Sequence, residues 1–151
     1  DRMVVADMGM KAYPPHHDEV FKGLFAVDVE NCPSRKEAEE RLKAFVSDQG
    51  TLQFLLKNLF WREPGLLDWR FNLPAIYQER EHLMAALPQE RVESSTLFLT
   101  GGKSHYVLPE DVNAIKQLVP QATFEAMAEA GHWLHAEDPT QFIQRTLAYL
   151  S

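Results

Sequence analysis

The spacing of hydrophobic positions changes character along this 151-residue chain, and the changes mark its elements. Met3 to Ala6 is a short apolar run, β-branched at its centre, that breaks into Asp7-Met8-Gly9. This predicts a buried strand feeding a loop, with the acid where the strand ends. Tyr13-Pro14-Pro15 blocks an early helix, and from His17 or Asp18 onward Val20, Phe21, Leu24 and Phe25 fall on one helical face. Cys32-Pro33 interrupts that pattern, and Ser34 stands three residues before Glu37, a capping-box spacing. A helix is therefore expected over 35 to 47, with Ala38, Leu42, Phe45 and Val46 inward and its charged residues on a solvated face. Gly50 ends it, Thr51 caps the next segment, and Leu52, Leu55, Leu56 and Leu59 keep helical spacing until Pro64-Gly65. Trp69, Phe71 and Leu73 alternate with Arg70 and Asn72 in a short extended piece before Pro74, and Ile76 to Leu87 reads as a helix stopped at Pro88.

The last third changes rhythm. Strands are expected at Ser95 to Thr100 and Thr123 to Ala128, with helices at Pro109 to Val119 and Asp138 to Leu150, the last burying Phe142, Ile143, Leu147 and Leu150. Strand–helix alternation implies parallel strands with right-handed crossovers, hence an α/β fold. With Met3 to Ala6 it gives three parallel strands and an all-helical insertion of about seventy to eighty residues between the first and second. The first strand would then have an open edge, which invites a second copy or a companion strand.

Composition narrows the function. A net charge of −7 repels phosphate backbones and anionic lipid heads, so nucleic acid and membrane are poor partners. The longest apolar runs fall far short of the roughly 20 residues of a spanning helix. The one cysteine, Cys32, excludes an intrachain disulfide and a thiolate cluster for zinc, and it fits a reducing, cytoplasmic compartment. The chain opens on Asp1-Arg2 and runs at once into its first strand, without a secretory signal, and is read as part of a longer protein.

Gly101-Gly102-Lys103-Ser104 follows a strand and precedes a helix, as a phosphate-binding loop does. The spacing fails, because the first glycine of that motif would fall on Leu97. Nor is Ser104 a nucleophile elbow, since Tyr106 stands where G-x-S-x-G needs its last glycine. Ala130-Gly131-His132-Trp133 comes directly after the last strand, where open α/β sheets bind ligands, and Asp7 ends its own strand at the same carboxyl edge. The two are 125 positions apart in sequence, yet they can converge as two-thirds of a catalytic triad, a buried acid fixing the tautomer of a general base; the alternative is that Asp7 merely caps a loop. His132 and His135 have metal-site spacing without a third ligand, and His16-His17-Asp18 is a polar cluster at a helix start. No metal or cofactor is expected at either. Phe54, Phe60, Trp61, Trp69, Phe71 and Tyr77 are either ordinary core of the insertion or the lining of an acyl pocket.

Val4-Val5-Ala6-Asp7-Met8-Gly9, Gln53 to Asn58, Trp69 to Pro74, Leu97 to Val107 and Ala130 to Glu137 together resemble the C-terminal part of an α/β-hydrolase. More narrowly they are similar to the YbfF-like bacterial acyl esterases and their mitochondrial relatives. The resemblance covers almost the whole chain. It implies that the three strands are the last three of the family's sheet, carried by residues 1–13 and 91–151, and that residues 14–90 form a helical cap. It further implies that His132 is the general base and that Asp7, after the sixth strand, replaces the acid that most relatives carry where this chain has Ser104. Substitution of Ser104 by Ala should then be nearly silent. Phe54, Trp69, Phe71, Tyr106 and Trp133 would meet the substrate, a small acyl ester or an acyl-coenzyme A thioester. The serine elbow and the oxyanion loop have no counterpart here, so the chain alone is expected to be inactive and to need a serine-bearing N-terminal part or a companion chain. The alternatives are another reaction on the same fold, such as dehalogenation or epoxide opening, and a non-catalytic interaction fragment.

Overall fold

A computed structural model describes residues 1–14 and 17–151. In chain order the elements are β1 (Arg2–Ala6), α1 (Asp18–Ala26), a 3-10 turn (Val29–Asn31), α2 (Arg35–Lys43), α3 (Gln49–Leu56), β2 (Leu59–Glu63), β3 (Leu66–Trp69), α4 (Leu73–Gln78), α5 (Arg80–Leu83), β4 (Ser95–Gly101), α6 (Asp111–Leu118), β5 (Ala122–Met127), α7 (Leu134–Glu137) and α8 (Pro139–Leu150). They form two compact units, one of residues 1–12 with 86–151 and one of residues 13–85.

The first unit is a parallel sheet in the order β1-β4-β5, with Val4 opposite Leu97 and Leu99 opposite Glu125. Central β4 is buried on both faces, which is why its sequence is a continuous apolar run rather than an alternation. Leu97 and Leu99 pack with Val4, Met127, Ala130, Leu134, Phe142 and Tyr149 on one face, while Phe98 packs with Val5, Ile115, Val119 and Ala122 on the other. The inward side of α8 differs from expectation. Phe142 and Tyr149 face the sheet, where Tyr149 Oη and Ser95 Oγ share a hydrogen bond of 2.7 Å, and Arg145 pairs with Glu125 at 2.9 Å. Ile143, Leu147 and Leu150 are left 55 %, 61 % and 46 % exposed. The helix is apolar on two stripes, and hydrophobicity alone does not choose between them.

The second unit has its own core, in which Leu24, Leu42, Leu52, Leu56, Leu67 and Trp69 are buried. Ser34 caps α2 by accepting the Glu37 N–H at 3.1 Å, but the Glu37 carboxylate takes Arg41 instead of closing the capping box, and the helix stops at Lys43. Asp48, not Thr51, caps α3, its carboxylate accepting the Thr51 N–H at 2.7 Å, so Gly50 lies inside the helix it was expected to precede. The insertion is not all-helical. Leu59 continues the leucine spacing of α3 but begins β2, which pairs antiparallel with β3 around Pro64-Gly65, where Gly65 holds φ +84°. The long helix expected over 76 to 87 is two short ones, α4 capped by Asn72 and α5, broken at Glu79. The two ends of this unit are tied by the Tyr13 N–H donating to the Met84 carbonyl at 2.8 Å, and in the first unit Leu87 N–H meets the Met10 carbonyl at 3.1 Å. No helix among the described residues is long and apolar enough to cross a membrane.

Candidate active site

Because β1, β4 and β5 are parallel, their carboxyl ends lie on one edge of the sheet, and each delivers a loop there. Asp7 follows β1 directly, extending the ladder by one N–H to the Leu99 carbonyl at 2.8 Å and then turning at φ +44°. A left-handed conformation is unfavourable for a residue with a Cβ, although Asp tolerates it better than most. It aims a carboxylate that is only 1 % exposed back over the end of β4. There Oδ1 accepts the Gly101 N–H at 3.0 Å, while Oδ2 accepts the Ser104 hydroxyl and lies 2.8 Å from His132 Nδ1. All three bonds converge on one buried acid, as a buried carboxylate requires.

Ser104 is the residue that sequence reasoning set aside, and this geometry ties it to the acid, so that a substitution expected to be silent in turnover is expected to be felt in the fold. Its Oγ donates to Asp7 and accepts the Tyr106 N–H at 3.2 Å, linking the loop after β4 to the acid after β1. Ser104→Ala is expected to cost about 2 kcal/mol, because a buried carboxylate oxygen loses a donor. Urea unfolding of the chain measures it; a change within about 0.5 kcal/mol, the range of an uncoupled surface substitution, would show that the bond to Asp7 adds nothing to the fold.

His132 is 36 % exposed, with one ring edge on Asp7. The Tyr106 ring stacks on the imidazole at 3.8 Å between centroids and 13° between planes, and Trp133 meets it edge-on at 5.8 Å. The stack leaves the imidazole a narrow range of rotation. Four of the singled-out residues, Asp7, His132, Tyr106 and Trp133, are thus gathered in the first unit. Phe54, Trp69 and Phe71 belong to the second, where Trp69 and Phe71 stack at 5.5 Å and Phe54 is exposed on α3. A cavity of about 540 Å³ in that unit is lined by Trp69, Phe71, Leu24 and Phe25, with Asp28, Glu30, Asp68 and Arg70 among its charged lining.

The Gly-Gly-Lys-Ser loop is explained by packing rather than by phosphate. The N–H groups of Gly102 and Lys103 are used on the carbonyls of Met127 and Ala130, both at 2.9 Å. Lys103 Nζ pairs with Glu129 at 2.8 Å, and that hydrogen-bonded carboxylate holds the ammonium pKa above its usual value. A Cβ on Gly101 or Gly102 would collide with backbone of the His132 loop or of Ala128. Of the metal readings, His135 is engaged by the rings of Trp133 and Phe142, and His16 lies outside the described residues. Among the described residues, no group of three or more His, Cys, Asp and Glu side chains is placed to hold an ion.

Known proteins place this arrangement in context. The sequence is 35 % identical over its whole length to the mouse sn-1-specific diacylglycerol lipase ABHD11, covering 51 % of that protein. It is 30 % identical to esterase YbfF of Escherichia coli strain K12, covering 58 % of it. A marine microorganism esterase superposes with a TM-score of 0.92 at 31 % identity, over 99 % of this chain and 60 % of that one. The chain spans about half the length of the curated relatives it matches. A thioesterase domain from the curacin biosynthetic pathway shares the fold at a TM-score of 0.59 and 15 % identity. No family model matches the sequence.

Proposed function

Since the chain belongs to the α/β-hydrolase superfamily, we propose that it supplies the acid–base pair of a serine hydrolase of acyl esters, with His132 as general base and Asp7 as its orienting acid. The observation that carries this reading is the bond of 2.8 Å between the buried Asp7 carboxylate and His132 Nδ1. With Nδ1 bonded as donor, Nε2 is the nitrogen able to take a proton from a nucleophile. The nucleophile is a serine on a companion segment, because no serine of this chain stands in G-x-S-x-G.

The chemistry then runs in two halves. The serine attacks the acyl carbon as Nε2 takes its proton, and two backbone N–H groups of the companion stabilise the oxyanion, each worth about 3 to 4 kcal/mol. Collapse returns the proton to the leaving alcohol and leaves an acyl-enzyme. A water deprotonated by Nε2 then releases the acid, regenerating the serine. Tyr106 and Trp133 wall the base. The chain's net charge of −7 favours an uncharged ester over a phosphate-rich coenzyme A thioester.

The companion docks where the first unit is unfinished. Among the described residues β1 pairs with β4 alone, and the second stripe of α8, Ile143, Leu147 and Leu150, is exposed on a helix packed against it. An unpaired parallel edge with adjacent apolar surface recruits another strand and helix, from a serine-bearing segment or from a second copy. Co-expression with a serine-elbow segment of about a hundred residues tests the reading. The expected result is a complex in which a fluorophosphonate labels the elbow serine only when His132 is present, and which hydrolyses p-nitrophenyl butyrate faster than butyryl-coenzyme A. Labelling and turnover indifferent to His132→Ala would sink the assignment.

A further inference from the structure

The loop that carries His132 is held by a carboxylate from beyond it. Glu137 ends α7 and folds back, its Oε2 accepting the Gly131 N–H at 2.8 Å and its Oε1 accepting the Trp133 N–H at 3.1 Å. These two donors belong to the residues on either side of His132. One carboxylate therefore fixes the peptide group that follows His132 and, on the other side, the Ala130–Gly131 peptide one residue before it, so the backbone is pinned on both sides of His132. Gly131 permits the approach, since a Cβ there would lie 3.1 Å from Glu137 Oε1 and 3.4 Å from Oε2. Both bonds run from a backbone N–H to an ionised acceptor, a pairing stronger than a neutral one even though Glu137 itself is exposed.

We propose that Glu137 is a positioning residue: it clasps the N–H groups of Gly131 and Trp133 and so holds His132 in hydrogen-bonding register with Asp7. The proposal rests on His132 being the base. A merely structural alternative exists, in which Glu137 only satisfies the start of the four-residue helix α7. The two differ in what His132 feels. Under the proposal, loosening the clasp lets Nδ1 drift from Asp7, whereas a helix cap affects α7 and leaves the imidazole in place.

The experiment compares Glu137→Gln and Glu137→Ala with the unaltered 151-residue chain by NMR, and then in the assembled hydrolase by kinetics. Expected are faster amide exchange at Gly131 and Trp133, a broadened His132 Nδ1 proton resonance, and a kcat lowered about tenfold to a hundredfold by Glu137→Ala with KM little changed. Glu137→Gln, which keeps one acceptor oxygen in the same shape, should recover part of each effect and serves if the alanine variant does not fold. Faster amide exchange with the His132 resonance and kcat unmoved would reduce Glu137 to a helix cap and overturn the inference alone. Full activity in His132→Ala would instead overturn the assignment of the base.

Discussion

Asp7→Asn is expected to lower kcat/KM for acyl esters about 10⁴-fold in the assembled hydrolase while leaving the fold in place. The amide oxygen can still accept the Gly101 N–H that Oδ1 accepts now, so the turn after β1 keeps its anchor. The NH₂ group, however, takes the place of Oδ2, which today faces both His132 Nδ1 and the Ser104 hydroxyl. An amide donor opposite Nδ1 selects the other tautomer, with the proton on Nε2, and a protonated Nε2 cannot receive one from serine. Ser104 can rotate to accept from the amide, so most of the loss falls on turnover rather than folding. Steady-state rates with an unaltered circular-dichroism spectrum are the check. A loss smaller than tenfold would mean that Asp7 does not orient the base.

Gly101→Ala should act in the opposite manner, through the fold first. A Cβ at Gly101 would lie 2.0 Å from the Gly131 carbonyl oxygen and 2.8 Å from that of Ala130. Those obstacles are backbone, with no flexible side chain to yield, so the β4 end and the His132 loop must separate. The expected cost is about 3 kcal/mol, the upper end of ordinary overpacking, together with displacement of His132. A urea midpoint left unchanged would show that the two loops part without strain. The glycine pair that imitates a nucleotide loop in sequence thus owes its composition to the close approach of the two loops that build the site.

What could be read from the sequence follows physical scale. The strands β1 and β4 show themselves as short apolar runs ended by a loop, and because parallel strands finish on one edge, Asp7 and His132 could be brought together before any coordinates. The hairpin of β2 and β3 was hidden because Leu59 fits the leucine spacing of α3 and Pro64-Gly65 reads equally well as a helix stop. The aromatic and leucine residues flanking that dipeptide, Phe60-Trp61 and Leu66-Leu67, were the available signal for strands. The inward stripe of α8 escaped because two apolar stripes compete there, and it was settled by polar contacts of Tyr149 and Arg145 that periodicity does not register. Ser104 and Glu137 were beyond reach for the same reason. Their roles lie in hydrogen bonds to a carboxylate and to main-chain N–H groups, which leave no pattern in residue type.

The bond between Tyr13 and Met84 means that the 73 residues of the second unit begin and end side by side. A segment with joined ends behaves as a cassette: it can be lengthened, replaced or borrowed from another chain at the cost of two short splices. Asp7, Ser104 and His132 all lie outside the cassette, so it can be rewritten while the buried acid and the histidine and serine bonded to it pass through unaltered.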